Sequence, residues 1–266
     1  MIFHSAFEYS YLWLPLIGFT IGFFASMTGG GGGFVFLPVL ILLFNIPAQT
    51  AVATSLAASL PICIVGSFSH YKNGNIDFRM GLIFALTGII GAILGVGLTN
   101  LMTSRQLKIS FGVYSILIAL NMLLSKRRGE RAEANRVEIL DGYGLKKISK
   151  SSVYGFMAGI ITGTFGTSGT APVLAGLFDM RIPIKMVLGT SLMIVSVNTV
   201  SALGAHFLVS KIDLTLVYFL TAGAIIGAFA GPKFLAGLKT DRAEGPVRKW
   251  YAIGMIAFGI IMIISQ

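Results

Sequence analysis

The sequence predicts an all-α polytopic membrane protein made of two inverted repeats. Each repeat is a glycine-broken hairpin of short helices plus three transmembrane helices, for eight to ten membrane segments in all. Three observations carry this reading. Hydrophobic residues make up 55% of the 266-residue chain and charged ones only 11%, too few charges to cover a soluble domain of this length. The mean hydropathy is +0.84, and apolar stretches of bilayer-crossing length recur along the chain. Finally, the second half repeats the first at an offset of 136 residues, a long-period signal that fixes the architecture.

Taken from the N-terminus, no Lys or Arg precedes the first apolar run, and Glu8 stands where a secretory signal would be positive, so this segment is expected to be retained. Full-length spans are expected at 48–70, 77–102, 105–125, 185–209, 213–238 and 247–264, each near the roughly 20 residues that a crossing needs. The remaining apolar material forms two pairs of short segments, about 11–27 with 34–46 and about 152–166 with 170–179. Each pair is either two thin spans or one re-entrant hairpin. The division that follows is a first membrane repeat over 1–125, a basic connector over 126–150 and a second repeat over 151–266.

The short pairs surround the most unusual stretches of the chain. GFTIGFFASMTGGGGGFVFLP begins at Gly18, and GFMAGIITGTFGTSGTAP begins at Gly155. Backbone that leaves helical geometry inside hydrocarbon has unsatisfied amides unless protein, water or a ligand meets them, so such breaks belong where a cavity is lined. The bland alternative is that glycine only lets helices pack closely. Five successive glycines, Gly29–Gly33, lower helix propensity far more than close packing requires. They do not form a nucleotide loop, because no strand precedes them and no Lys or Ser/Thr completes a phosphate cradle.

The offset of 136 superposes Ile46-Pro47 on Ile182-Pro183, Thr54-Ser55-Leu56 on Thr190-Ser191-Leu192, His70 on His206 and Ile76-Asp77 on Ile212-Asp213. Ile89-Ile90-Gly91-Ala92 likewise meets Ile225-Ile226-Gly227-Ala228. A hairpin that returns to its own side plus three spans is an odd number of crossings, so the second half should be inverted. The connector holds the largest basic cluster, from Lys126, Arg127 and Arg128 to Lys150, and is expected in the cytoplasm. Alternating outward from it leaves only Arg105, Lys108 and Lys211 of the 20 basic residues outside. This topological bias accounts for the net charge of +10 without nucleic acid, for which no basic stripe interleaved with aromatics is present.

The glycine-rich break followed by FLPVL, the spacing from Pro47 to Thr54-Ser55, the GNIDF turn at Gly74–Phe78 and the return of this set after a basic loop resemble the TauE/SafE family, the sulfite exporters. The resemblance covers roughly 10–264. It implies a secondary transporter of small anions, sulfite or organosulfonates among them, in a bacterial or archaeal cytoplasmic membrane. The second break departs from the glycine run of the first, reading Gly166-Thr167-Ser168-Gly169-Thr170, so a site shared by both is asymmetric.

The chemistry expected there follows from helix ends. A helix starting near Gly32 or Gly33, and another starting near Thr170 with Pro172 in its first turn, would present N–H groups and positive dipole ends inside the membrane. Hydroxyls of Thr28, Thr167, Ser168 and Thr170 could add donors to an oxyanion. The candidate substrate-binding residues are therefore Gly29, Gly30, Gly31, Gly32, Gly33, Thr54, Ser55, Gly166, Thr167, Ser168, Gly169, Thr170, Thr190 and Ser191. For the Thr-Ser pairs, back-bonding to the preceding helical turn is an equal alternative. Asn198 and Ser196 are buried polar candidates, Asn198 chiefly for an interhelical hydrogen bond.

His70 and His206 could carry a coupling proton or meet the anion in a vestibule, although their places at helix ends also suit an interfacial role. Asp77 and Asp213 each precede an apolar helix and read as N-caps. No cofactor or metal is expected. Cys63 stands alone in an apolar run, no metal-ligand spacing occurs, and carboxylates fall at segment ends or in loops, which argues against an enzyme. Two functional classes remain: a transporter, expected to export by alternating access to a midplane site, and a passive anion pore. The expected partners are a small anion and the bilayer.

Overall fold

The computed structural model describes residues 2–28, 30–124, 145–180, 182–237 and 244–265. A two-residue strand, β1 (Ile2–Phe3), and a 3-10 turn (Tyr9–Trp13) lead into α1 (Leu14–Thr28), followed by α2 (Gly33–Leu42), α3 (Ala48–Lys72), α4 (Phe78–Leu101) and α5 (Ser104–Leu124). The second half runs α6 (Leu145–Phe165), α7 (Thr170–Asp179), α8 (Ile184–Val209), β2 (Ile212–Asp213), α9 (Leu214–Gly237) and α10 (Glu244–Ile264). Among the described residues, five helical stretches are long and apolar enough to cross a membrane: Tyr9–Ser26, Ala48–Lys72, Phe78–Leu101, Lys185–Val209 and Leu214–Gly231. Large apolar side chains on their outer faces, such as Leu82, Leu86, Ile90 and Ile93 of α4, are exposed. In water such a belt would drive aggregation; against lipid tails it is at no disadvantage.

The six expected full-length spans are all helices, displaced by a few residues at their ends. Both short pairs differ from expectation. Their first members are longer: Tyr9–Ser26 is of crossing length, and α6 begins at Leu145, inside the expected connector. Polar and basic residues in its first turns, Lys146 through Ser152, hid that start from an apolar count. The rest of the connector, 126–144, lies outside the described residues, as does Gly29.

The second members are ten residues each, about 15 Å of helix against the roughly 30 Å of a hydrocarbon core. α7 folds back along α6: Lys150 near the start of α6 is ion-paired with Asp179 at the end of α7, and the notch at Gly176 is filled by Tyr154. One level deeper, a Cβ on Gly169 would collide with the carbonyl of Ala158 and the hydroxyl of Thr162. The pair is a helical hairpin with unequal arms, 21 residues in α6 and 10 in α7. In the first half, Gly32 rests on Ile21 and Ala25 of α1 much as Gly169 rests on Ala158 and Thr162 of α6. Beyond the end of α2, Asn45 has a left-handed φ of 51°, and Ile46 N–H returns to the Leu40 carbonyl at 3.1 Å.

Helix packing crosses between the halves. α1 lies against α9 and α4 against α6, while α3 and α8 cross at the centre. The first two contacts are backbone to backbone. A Cβ on Gly18 or Gly22 would strike α9 carbonyls at Leu220 and Ala224, and one on Gly223 or Gly227 would strike α1 carbonyls at Pro15 and Phe19. Gly155, Gly159 and Gly163 of α6 meet α4 in the same way at Phe84, Gly88 and Ala92. Close approach multiplies dispersion contacts where no water-driven force acts between helices.

The strand pair was not legible in the sequence. β1 pairs in parallel with β2, Ile2 with Ile212 and Phe3 with Asp213. It lays the N-terminal segment over the start of α9, where Ser5 N–H donates to the Asp213 carboxylate at 3.3 Å.

Candidate functional site

The two breaks meet. A Cβ on Gly33 would lie 2.6 Å from the Gly166 carbonyl oxygen and 3.3 Å from the Thr167 Cα; one on Gly31 would strike the Sγ of Cys63 and come within 2.8 Å of Ser168 Oγ. Gly33 is thus in backbone contact with a segment more than a hundred residues further along the chain, and hydrogen in place of a side chain at Gly31 and Gly33 is what permits the approach. Gly32, Gly166 and Gly169 have φ of 75°, 63° and 56°, the left-handed region where a side chain is strained. Gly32 and Gly169 are the N-caps of α2 and α7, and neither offers a side-chain acceptor to the first turn. The positive ends of both short helices therefore point into this junction with their amides uncapped.

The polar groups at the second break divide by type. The last carbonyls of α6 are orphans of helix termination, and side chains from other helices satisfy them. Thr99 Oγ1 donates to Gly163 and Thr164 at 3.1 and 2.8 Å, and His206 Nε2 lies 2.8 Å from the Gly163 carbonyl. A carbonyl only accepts, so Nε2 of His206 carries a proton, and Nδ1 lies 2.9 Å from Ser210 Oγ. Ser55 donates to the Gly166 carbonyl at 3.0 Å and also lies 2.8 Å from the Val52 carbonyl of its own helix. By contrast, the hydroxyls of Thr167, Ser168 and Thr170 have no partner, although Thr167 and Ser168 are only 2% and 4% exposed. The named carbonyls are met, while three hydroxyls, each able to donate and to accept, are left for a polar ligand.

Several expected residues sit elsewhere. Thr54 and Thr190 use their hydroxyl oxygens as acceptors for the N–H of Asp213 and Asp77, at 3.2 and 2.8 Å, a reciprocal pair that ties α3 to the start of α9 and α8 to the start of α4. Asp77 caps α4 as expected, accepting from Met80 N–H at 3.0 Å, and Asp213 accepts from Thr215 N–H at 3.0 Å. Ser191 is buried on α8 at the place that Ser55 holds on α3. His206, expected near an interface, is fully buried against the tip of the second hairpin. Its long reach across to α6, which sequence position alone does not reveal, accounts for the difference.

His70 lies apart, its Cβ against the notch at Gly189 and Asn75. Asn198 fills the notch at Gly88 with both amide atoms unpartnered, so the expected interhelical hydrogen bond is not formed. Ser196 back-bonds to Leu192 at 2.7 Å. At the open end of the hairpin, the Asp179 carboxylate holds the Lys150 ammonium above its usual range. Both groups are exposed, so the pair marks geometry more than stability.

Two residues at the junction were missed by sequence reasoning. Cys63 and Thr199 are buried on α3 and α8 where these helices cross, and Thr199 faces the thiol although its hydroxyl makes no hydrogen bond of good geometry. They are counterparts at the 136-residue offset. A small polar residue at the same place in both apolar helices was the available signal.

These features define an integral, polytopic helical membrane protein whose polar interior is built from two broken hairpins. The chain matches the family described as "Sulfite exporter TauE/SafE" over residues 14–262. It belongs to the TauE/SafE family. It is 30% identical over 224 residues to the probable membrane transporter protein YdhB of Bacillus subtilis, covering 82% of this chain and 86% of the relative. A probable membrane transporter protein of Xylella fastidiosa is 25% identical over 248 residues, 92% of each chain. The archaeal relative MJ0441 of Methanocaldococcus jannaschii, also named a probable membrane transporter protein, is 26% identical over 76% of this chain and 75% of its own. No solved structure matches.

Proposed function

We propose that this protein is a secondary transporter that exports a small oxyanion, sulfite or an organosulfonate, by alternating access to a site between the two hairpin tips. The observation that carries the reading is the pair of buried hydroxyls at the junction, Thr167 and Ser168, without partners beside two helix starts whose uncapped N–H groups can only donate. Such donors replace part of an anion's hydration shell without a fixed cation, so binding is weak enough for release. The family description and the transporter names of relatives support the class.

In this reading the halves 1–125 and 151–266 are inverted repeats, the basic connector lies in the cytoplasm, and the host membrane is a prokaryotic cytoplasmic membrane. Gly31 and Gly33 touch the opposite break, so the tips must part before an anion enters. This favours alternating access over a standing pore, in which the tips would stay apart. With no carboxylate at the junction among the described residues, the membrane potential is the proposed driving force for export of negative charge.

Uptake into proteoliposomes with sulfite, sulfate, thiosulfate, sulfoacetate and carboxylates tests the reading. Saturable counterflow of one oxyanion is expected, reduced at least tenfold by Ser168→Ala and abolished by Gly31→Leu. Unitary currents without counterflow would replace the transporter with a pore, and flux that follows a pH gradient while ignoring voltage would remove the proposed driving force.

A further inference from the structure

We infer that Cys63 is a substrate-contacting residue, presenting its thiol to the anion beside the hydroxyl of Ser168. The inference rests on the reading that the hairpin tips bind an oxyanion, and it adds a residue from the crossing helices to that site.

The geometry is local and specific. Sγ of Cys63 and Oγ of Ser168 both border the space that a methyl group on Gly31 would fill. Gly31 precedes the uncapped start of α2, and Ser168 precedes that of α7, so the sulfur lies where the two positive helix ends converge. Cys63 is fully buried, and the Ser168 hydroxyl beside it is 4% exposed and without a partner. A thiol is a weak donor and a polarisable neighbour. It can add one contact to a soft, large oxyanion without the desolvation cost that a stronger polar group would carry when the site is empty. Thr199, its counterpart on α8, supplies a hydroxyl across the same crossing, so the anion would meet one sulfur and several oxygens rather than a symmetric cage.

Cys63 is the only cysteine in the chain, which makes the native protein its own reporter. The test joins proteoliposome transport with N-ethylmaleimide labelling of the reconstituted native chain, using sulfate and sulfoacetate as protecting anions because sulfite itself adds to maleimides. Cys63→Val keeps roughly the volume and removes the S–H; it should raise the KM of the transported anion about tenfold, the size expected for losing one net contact. Cys63→Ser should stay within about threefold of the native KM while changing the preference among anions. The transported anion should slow labelling severalfold, and chloride at equal ionic strength should not.

A Cys63→Val protein with native KM, or with a loss that Cys63→Ser shares equally, overturns the inference, as does labelling that the transported anion leaves unchanged. In each of these cases transport by the native chain still stands. A native protein that moves none of the anions ends the transport reading itself.

Discussion

At Gly166 the chain bends with φ 63° into a space bounded by Ser55 Oγ and the Val52 carbonyl, each 2.5 Å from where a Cβ would stand. Gly166→Ala therefore adds left-handed strain to a collision with backbone. Destabilisation of about 2–4 kcal/mol is expected, combining a strained φ with overpacking, and is measurable as a lowered melting midpoint in detergent. Ser55→Ala removes the donor to the Gly166 carbonyl and should cost about 1–3 kcal/mol for the acceptor left buried. His206→Phe tests the same principle one turn earlier, because it leaves the Gly163 carbonyl to Thr99 alone; transport should fall more than stability does. The sequence picked out the glycines of the breaks and Ser55 as candidates, and the structure places Ser55 against the second break. It could not tell that Thr54, one position before, turns to the N–H of Asp213, because which face of an apolar helix meets which neighbour is decided by packing and leaves no periodic trace.

Helix by helix, glycine has two separate uses, and the structure distinguishes them. Gly95 of α4 is pressed against the Ile160 carbonyl of α6, whereas Gly97, two residues on, has open space around the position of a Cβ. Gly97→Ala should be neutral or stabilise by up to about 1 kcal/mol, as in any exposed helix interior, while Gly95→Ala should push α4 off α6 and lower the midpoint. Equal responses of the two variants would mean that close backbone contact does not hold this pair together. Element positions were readable from apolar length and from the glycine breaks. The length of α6 was not, since its basic first turns read as loop, and neither was the strand pair β1–β2, whose two-residue strands carry no pattern of their own.

Across the whole molecule, the strongest packing joins opposite halves: α1 with α9 and α4 with α6. Expressed alone, residues 1–125 should fail to give a monodisperse species in detergent, and co-expression with 151–266 should restore one, as read by fluorescence-detected size exclusion. A first half that is stable by itself would show that the contacts across the halves are dispensable. The repeat at 136 residues was visible in the sequence, but identity between segments says nothing about which segment each one touches.

That exchange has a consequence during synthesis. When the ribosome has delivered the first 125 residues, the grooved faces of α1 and α4 are already in the bilayer, but their mates α6 and α9 have not yet been made. The nascent half must wait with bare glycine surfaces among lipids and foreign helices, and that interval is when wrong helix pairings compete most with the native ones.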